Sequence, residues 1–406
     1  MTNDLILARN AVLTEKTLMP SAIRAPAEQE TRRTHEVELP TGSLALEVEA
    51  GPDLSELCEF AARANPKRGF LIVSKVLGRH LPARPADMRQ TMGQLAASLP
   101  HDLSQPVAFL GMAETATALG QGVFAAYQAR HPDVLSIYLQ TSRQVVEGAT
   151  TIARFEEGHS HATSHLVQIT DEDVLATARN ARTLVIIDDE CSTGNTFVSG
   201  VEGMRDAMPH LERVETCCIT DWSGGAYLSR MPLPSTGHSI IAGTMRWTPG
   251  ATNTAPPLAA GSNGTGAAPS SGMRSRSGLR CAEASNRLPV TASSGERILV
   301  LGDGEHSYEA LLIAEEIERQ GGVAAVQSIT RTPATLGHAM KTVSRFTDAY
   351  GSGAPCFLYN ILQHGPDRII IACEIPGHQA DEAVLSVRDL GTDVPAELVL
   401  CTYEKR

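Results

Sequence analysis

The stretch Leu184-Val-Ile-Ile-Asp188-Asp189-Glu190-Cys191-Ser192-Thr193-Gly194-Asn195-Thr196 decides the fold. Four apolar residues stop abruptly at two acids, which is how a strand buried on both faces reads when its carboxyl end meets solvent. A short loop of small hydroxylic residues and one glycine follows. Beyond it Phe197, Val201, Met204, Met208 and Leu211 recur with a period near 3.6, so a helix begins where the loop ends. Backbone N–H groups in such a loop turn inward, and the helix dipole reinforces them, which suits a phosphate monoester. The hydroxyls of Ser192, Thr193 and Thr196 supply further donors, and Asp188 and Asp189 stand where vicinal hydroxyls of a sugar can donate to them. No Gly-Lys-Ser/Thr is present, so this is not a nucleoside-triphosphate P-loop. The plain alternative is a strand ending at an ordinary helix cap, but that leaves three crowded acids without a use.

Working outward, strands and helices alternate. Leu44–Val48 reads as an edge strand, and Asp53 as the cap of a helix running through Leu57, Phe60 and Ala61 to Asn65-Pro66. Phe70–Val73, Val107–Leu110, Val134–Leu139 and Val214–Thr220 read as short buried strands, with a helix carrying Leu119, Val123 and Ala126 between the second and third. The alternation predicts an α/β fold, a parallel sheet flanked by helices, with ligands at the carboxyl ends of its strands. From about 248 to 295 the chain turns to Gly, Ala, Ser, Thr and Pro without apolar period, the composition of a flexible linker. A strand at Arg297–Leu301, a Gly-Asp-Gly-Glu turn, a helix through Leu311, Leu312, Ala314 and Ile317, and a strand at Val323–Gln327 then predict a second, smaller α/β domain. The expected division is 1–247, linker 248–295, and 296–406.

The signature stretch resembles the phosphoribosyl pyrophosphate motif of the type I phosphoribosyltransferases, in which two acids and two variable residues precede Thr-Thr-Gly-x-Thr; here Ser192 takes the first threonine's place. The resemblance implies that Asp188 and Asp189 are catalytic and hold the ribose hydroxyls, with Mg²⁺ beside them directly or through water. It implies that Glu190, Cys191, Ser192, Thr193, Gly194, Asn195 and Thr196 bind ribose 5-phosphate. The loop Gly111-Met-Ala113-Glu114-Thr115-Ala116-Thr117 fits the family's pyrophosphate loop in order and type, and Lys75, Arg79 and Arg143 are the accompanying cations. A helix cap by Thr115 and ordinary surface charges are the plainer readings of those residues.

The likeness narrows further. Asn65–Pro82, Gln140–Gln144 and Phe155–Val167 are similar to orotate phosphoribosyltransferase-like proteins encoded with bacterial tellurium-resistance genes. In that family a second domain follows, named for a Thr-Arg-Ser-Pro motif. This chain has Thr330-Arg331-Thr332-Pro333, with Gly302-Asp303-Gly304-Glu305, Tyr308 and Phe357-Leu-Tyr-Asn360 in matching order. Glu305, Tyr308 and Arg331 are therefore the candidates of the second domain, with Arg331 either an anion clamp or a structural arginine in a turn. The resemblance implies a cytoplasmic homodimer that transfers ribose 5-phosphate from phosphoribosyl pyrophosphate to a base-like acceptor, releasing pyrophosphate, in stress-linked metabolism.

His159, His161 and His165 lie close together, with His161 and His165 spaced to share a helix face. A hood closing over the sugar, a structural metal site and a solvated hairpin all fit that spacing. The formal net charge of −12 argues against a broad nucleic-acid surface. No apolar run is long enough to span a bilayer, the N-terminus lacks the pattern of a signal peptide, and the eight cysteines form no C-x-x-C pair. Three function classes follow: a phosphoribosyltransferase, a non-catalytic sensor of phosphoribosyl pyrophosphate, and a bifunctional enzyme whose second domain modifies the nucleotide product.

Overall fold

Residues 32–63, 65, 68–156, 164–250, 266–269, 274–281, 290–375 and 393–401 are described by the computed structural model. Two antiparallel strands, β1 (Arg33–Leu39) and β2 (Gly42–Ala50), open it, followed by one helical turn, α1 (Leu54–Leu57). A hairpin, β3 (Cys58–Ala62) and β4 (Phe70–Ser74), leads to α2 (Pro85–Ser98), β5 (Val107–Gly111), α3 (Thr117–Arg130) and β6 (Ser136–Ser142). Next come β7 (Gln144–Val146), β8 (Thr150–Phe155), β9 (His165–Ile169) and α4 (Glu172–Arg179). The signature strand is β10 (Thr183–Ile187). It is followed by β11 (Glu190–Cys191), α5 (Asn195–Met204), β12 (Arg213–Asp221), β13 (Ser235–Pro249) and β14 (Gly266–Ala268). The remaining elements are β15 (Arg297–Gly302), α6 (Tyr308–Arg319), β16 (Val323–Ser328), β17 (Val343–Thr347), β18 (Pro355–Tyr359), β19 (Arg368–Cys373) and β20 (Ala396–Leu400).

The large sheet runs β1-β2-β13-β12-β10-β5-β6-β9-β8, with β11 paired beside β12. Its centre, β13 to β6, is parallel. All five residues of β5 and of β10 are buried, as strands covered on both faces should be. Leaving β5 the chain moves outward to β6, whereas β10 and β12 lie on the other side of β5. The order therefore reverses between β5 and β10, and such switch points are where open α/β sheets bind ligands. A second parallel sheet, β16-β15-β19-β20, reverses in the same way between β15 and β19.

The two sheets are not separate bodies: Arg32–Arg406 group as one compact unit. Met92, Leu95 and Phe124 from the first part share one apolar core with Tyr308, Leu311, Ile317 and Val326 from the second. Ala83 also exchanges two backbone hydrogen bonds with Val326, of 2.9 and 2.8 Å, extending the edge of the second sheet.

Three expectations change. The helix expected from Asp53 to Asn65 ends after one turn: Asp53 caps it, accepting from Ser55 N–H at 2.8 Å, but Cys58–Ala62 pairs with Phe70–Ser74 as a hairpin. The spacing of Leu57, Phe60 and Ala61 is helical, yet Cys58, Phe60 and Ala62 also alternate, and cross-strand pairing decides between them. The strand at Leu44–Val48 is not an edge, because β1 covers it. Parts of the expected linker are built into the fold: β14 pairs with β7, Leu279 pairs with Tyr138, and the 3-10 turn Arg274–Ser277 buries Arg276 completely. No helix among the described residues is long and apolar enough to cross a membrane.

Candidate active site

At the end of β10 the peptide N–H of Asp188 donates to Cys217 at 3.0 Å, and its carboxylate accepts from Asp189 N–H at 2.9 Å. The second bond holds the two acids side by side at the strand's carboxyl end. Glu190 is ion-paired with Arg68. Burial raises the carboxyls of Asp189 and Glu190 above the usual range. The Asp188 hydrogen bond, Arg68 and Arg79 oppose that at Asp189, and Arg68 opposes it at Glu190.

The loop then turns through Gly194, which sits at φ 71°. A Cβ there would lie 2.2 Å from the Cβ of Tyr227, so both the dihedral and the packing require glycine. Arg230 clamps the turn, donating to Asn195 Oδ1 at 2.7 Å and to the Thr193 carbonyl at 2.6 Å. The Thr193 hydroxyl accepts from Asn195 N–H at 3.4 Å. The half-buried hydroxyls of Ser192 and Thr196 have no partner among the described residues. The loop thus opens on the first turn of α5 with donors unspent, an arrangement suited to an anion such as a phosphate. Cys191 is buried beneath it, and burial pushes its thiol well up, so it is inert packing.

The neighbouring strand carries the expected pyrophosphate loop. Met112 N–H donates to Ile187 at 2.9 Å, which ties the loop to the signature strand. Ala113 N–H donates to Thr141 Oγ1 at 2.7 Å, and the Ala113–Glu114 peptide is cis. The Glu114 carboxylate is ion-paired with Arg79 at 2.6 Å. Thr115 is half-buried. A Cβ on Gly111 would lie 2.3 Å from the Tyr138 hydroxyl, so only glycine lets the strand end this close to its neighbours.

The candidate cations separate. Arg79 is buried beside Glu114, and its guanidinium also donates to the Gly304 carbonyl at 2.7 Å. Arg143 is buried at the end of β6 and lines a small cavity with Glu114, Asp303, Glu305 and Arg331. Lys75 is turned elsewhere, donating to the Ser55 carbonyl at 2.9 Å. Among the C-terminal candidates Glu305 and Arg331 face the first sheet's strand ends. Tyr308 does not join them: its hydroxyl accepts from Arg89 of α2 at 3.0 Å, a contact between helices.

His165 is not on a helix face. It lies in β9, fully buried, with Nδ1 2.9 Å from Thr141 Oγ1 and its ring stacked on Phe155. His159 and His161 lie outside the described residues. Sequence reasoning did not single out Arg230, Tyr227, Arg276, Asp348 or Glu374. The contacts that tie them to the site, such as Arg230 with Thr193, Arg276 with Glu374 and Asp348 with Arg331, span many residues, and no local pattern marks them.

Residues 57–237 match the family model described as "Phosphoribosyl transferase", and residues 271–387 match the one described as "TRSP domain C terminus to PRTase_2". No curated protein matches the chain. Among solved structures, adenine phosphoribosyltransferase from Rhodothermus marinus is 16% identical, covering 46% of this chain and 96% of that one, at a TM-score of 0.31. The Trypanosoma brucei adenine enzyme, in complex with AMP, pyrophosphate and ribose-5-phosphate, is 15% identical, covering 46% and 77%, at 0.30. Orotate phosphoribosyltransferase from Aeropyrum pernix is 16% identical, covering 43% and 80%, at 0.27. At such scores the assignment rests on the two family models. Matched by both, in that order and over well more than half of its residues, the chain belongs to the phosphoribosyltransferases that carry a C-terminal TRSP domain.

Proposed function

We propose that the chain transfers a phosphoribosyl group from phosphoribosyl pyrophosphate to a base-like acceptor, as a homodimer in stress-linked nucleotide-type metabolism. The observation that carries this reading is the end of β10: two adjacent carboxylates, then a glycine-turned loop with unspent hydroxyls at a helix N-terminus. Asp188 and Asp189 accept from the ribose hydroxyls and so fix the ring. Ser192, Thr193 and Thr196, with the peptide N–H groups of the loop, hold the 5-phosphate. The loop Ala113–Thr115, with Arg79 and Arg143 behind it, takes the pyrophosphate side.

The bond from the anomeric carbon to pyrophosphate breaks and a bond to an acceptor nitrogen forms, through a transition state of oxocarbenium character. The residues act mainly by position and by screening charge. Arg79 and Arg68 keep the carboxylates beside them from facing the donor's phosphates as bare charges. No group of three or more His, Cys, Asp or Glu able to hold a metal exists among the described residues. Two carboxylates alone fit Mg²⁺, which is commonly held by one or two acids together with substrate phosphates. Asp188 and Asp189 would face it, and it would neutralise the leaving pyrophosphate.

The test is calorimetric titration of phosphoribosyl pyrophosphate with Mg²⁺ into the wild type and an Asp188→Asn, Asp189→Asn variant. Micromolar binding that the variant loses by about a hundredfold, as when two charge-assisted hydrogen bonds go, supports the reading. Folded wild-type protein that binds nothing sinks it.

A further inference from the structure

We infer that the C-terminal half is a working part of the pyrophosphate side of this site, with Glu305 and the Arg331 peptide as positioning groups for Arg143 and Glu114. The inference rests on the donor reading above and adds to it a role for the second domain.

The carboxyl ends of the two parallel sheets face one another. From the first sheet come the loop after β5, carrying Glu114, and the end of β6, with Ser142 as its last residue and Arg143 just beyond. From the second come the turn after β15, carrying Gly304 and Glu305, and the segment after β16, carrying Arg331. Glu305 is 3% exposed, and three donors converge on its carboxylate. Ser142 Oγ donates at 2.7 Å, the peptide N–H of Arg143 at 2.5 Å, and Nε of buried Arg276 at 2.9 Å. A charge-assisted bond to a peptide N–H fixes the backbone from which the Arg143 side chain leaves. Glu114 is gripped from both halves: by Arg79 at 2.6 Å and by the Arg331 peptide N–H at 3.3 Å. Arg79 in turn donates to Gly304. Arg331 is held by Asp348 at 2.7 Å, so the peptide that reaches Glu114 is itself anchored.

Both loops assigned to pyrophosphate are therefore fastened by the second half. The 5-phosphate loop is braced from its own half, by Arg230 at Thr193 and Asn195 and by Tyr227 against Gly194. A group that only stabilised the fold would affect both sides alike, whereas a positioning group acts on one.

The experiment titrates phosphoribosyl pyrophosphate, inorganic pyrophosphate and ribose 5-phosphate, each with Mg²⁺, into the full chain. Wild type is compared with Glu305→Gln and with Ser142→Ala, a milder variant that removes one neutral donor to Glu305 and the acceptor of the Gln144 peptide N–H. Glu305→Gln is expected to weaken the first two ligands about tenfold, and Ser142→Ala about threefold, with ribose 5-phosphate unchanged in both. Unchanged affinities in both variants, or equal losses for all three ligands, overturn the inference. Should Glu305→Gln fail to fold, Ser142→Ala decides by the same pattern. Wild-type protein that binds none of the three overturns the donor reading, and this inference with it. Wild-type binding with unselective variants overturns the inference alone.

Discussion

Two switch points, built alike, spend their polar groups differently. Past β10, the hydroxyls of Ser192 and Thr196 have no partner among the described residues, and water reaches the loop. Past β15, Glu305 takes three donors, and Arg276 lies between Glu305 at 2.9 Å and Glu374 at 2.5 Å. The Tyr350 hydroxyl also donates to Glu374 at 2.7 Å. The contrast follows from desolvation. An unmatched donor at a wet loop costs little, because water serves it until a ligand displaces the water. An unmatched charge in the interior costs several kcal/mol. Unspent donors thus mark the surface proposed to meet a ligand, and paired ions mark the seam behind it.

The comparison breaks most severely at Arg276. Arg276→Ala leaves Glu305 and Glu374 buried without their cation, and is expected to cost about 3–5 kcal/mol. Urea unfolding at neutral pH measures it. A loss below about 1 kcal/mol would mean that the seam is wetter than its burial indicates.

Gly194→Ala comes next. The left-handed backbone and the 2.2 Å approach to Tyr227 together predict a loss of about 3 kcal/mol. Gly148→Ala is its control. Gly148 is also left-handed, at φ 73°, but a Cβ there meets nothing within 4 Å. Only the conformational part, about 1 kcal/mol, should appear there. Equal thermal shifts in the two variants would show that Tyr227 yields.

How much of this was legible follows from what is local. The strand β10, its acids and its loop lie within thirteen consecutive residues, and burial on both faces writes them as an apolar run with an abrupt end. The second α/β unit was legible for the same reason at β15, α6 and β16. Pairing was not. Cys58–Ala62 fits a helix and a strand equally until β4 is beside it. Arg276 sits in Met273-Arg-Ser-Arg-Ser-Gly278, a composition that reads as solvated. Its burial depends on Glu305 and Glu374, which only the fold brings near. Arg79 was expected as a cation for pyrophosphate, and nothing local announced its burial beside Glu114 or its hydrogen bond to Gly304, far along the chain.

A pH-dependent effect is expected at Asp303, one of the groups in the seam without a matched partner. It is buried at the end of β15, lines the cavity, and has no side-chain partner among the described residues. Burial first, then Glu374 and Asp348, raises its carboxyl to about 7, against a lesser pull from Arg276. The folded state thus binds this proton more tightly than the unfolded chain. The stabilisation is fully present below the unfolded value of 3.8 and is lost as pH rises through about 7. Asp303→Asn removes the dependence. Its stability relative to wild type should rise steadily as pH goes from 4 to about 7 and level off above it. Parallel curves over that range, followed by thermal unfolding, would place a cation or a donor beside Asp303.

The smallest stability effect belongs to the ligand-facing side. Ser192→Ala and Thr196→Val remove hydroxyls that satisfy nothing in the protein, so unfolding midpoints should move by no more than about 0.5 kcal/mol. The same hydroxyls are the donors assigned to the 5-phosphate, and losing a hydrogen bond to a charged group costs about 1.5–3 kcal/mol of binding. Ribose 5-phosphate affinity should therefore fall at least tenfold in each variant while stability stays put. Ser142→Ala at the seam gives the opposite signature: it strips a donor from buried Glu305, so it should lower stability and leave ribose 5-phosphate binding intact. If the loop variants lost stability instead, their hydroxyls would be spent inside the protein, and the distinction between the two switch points would fail where it is most easily measured.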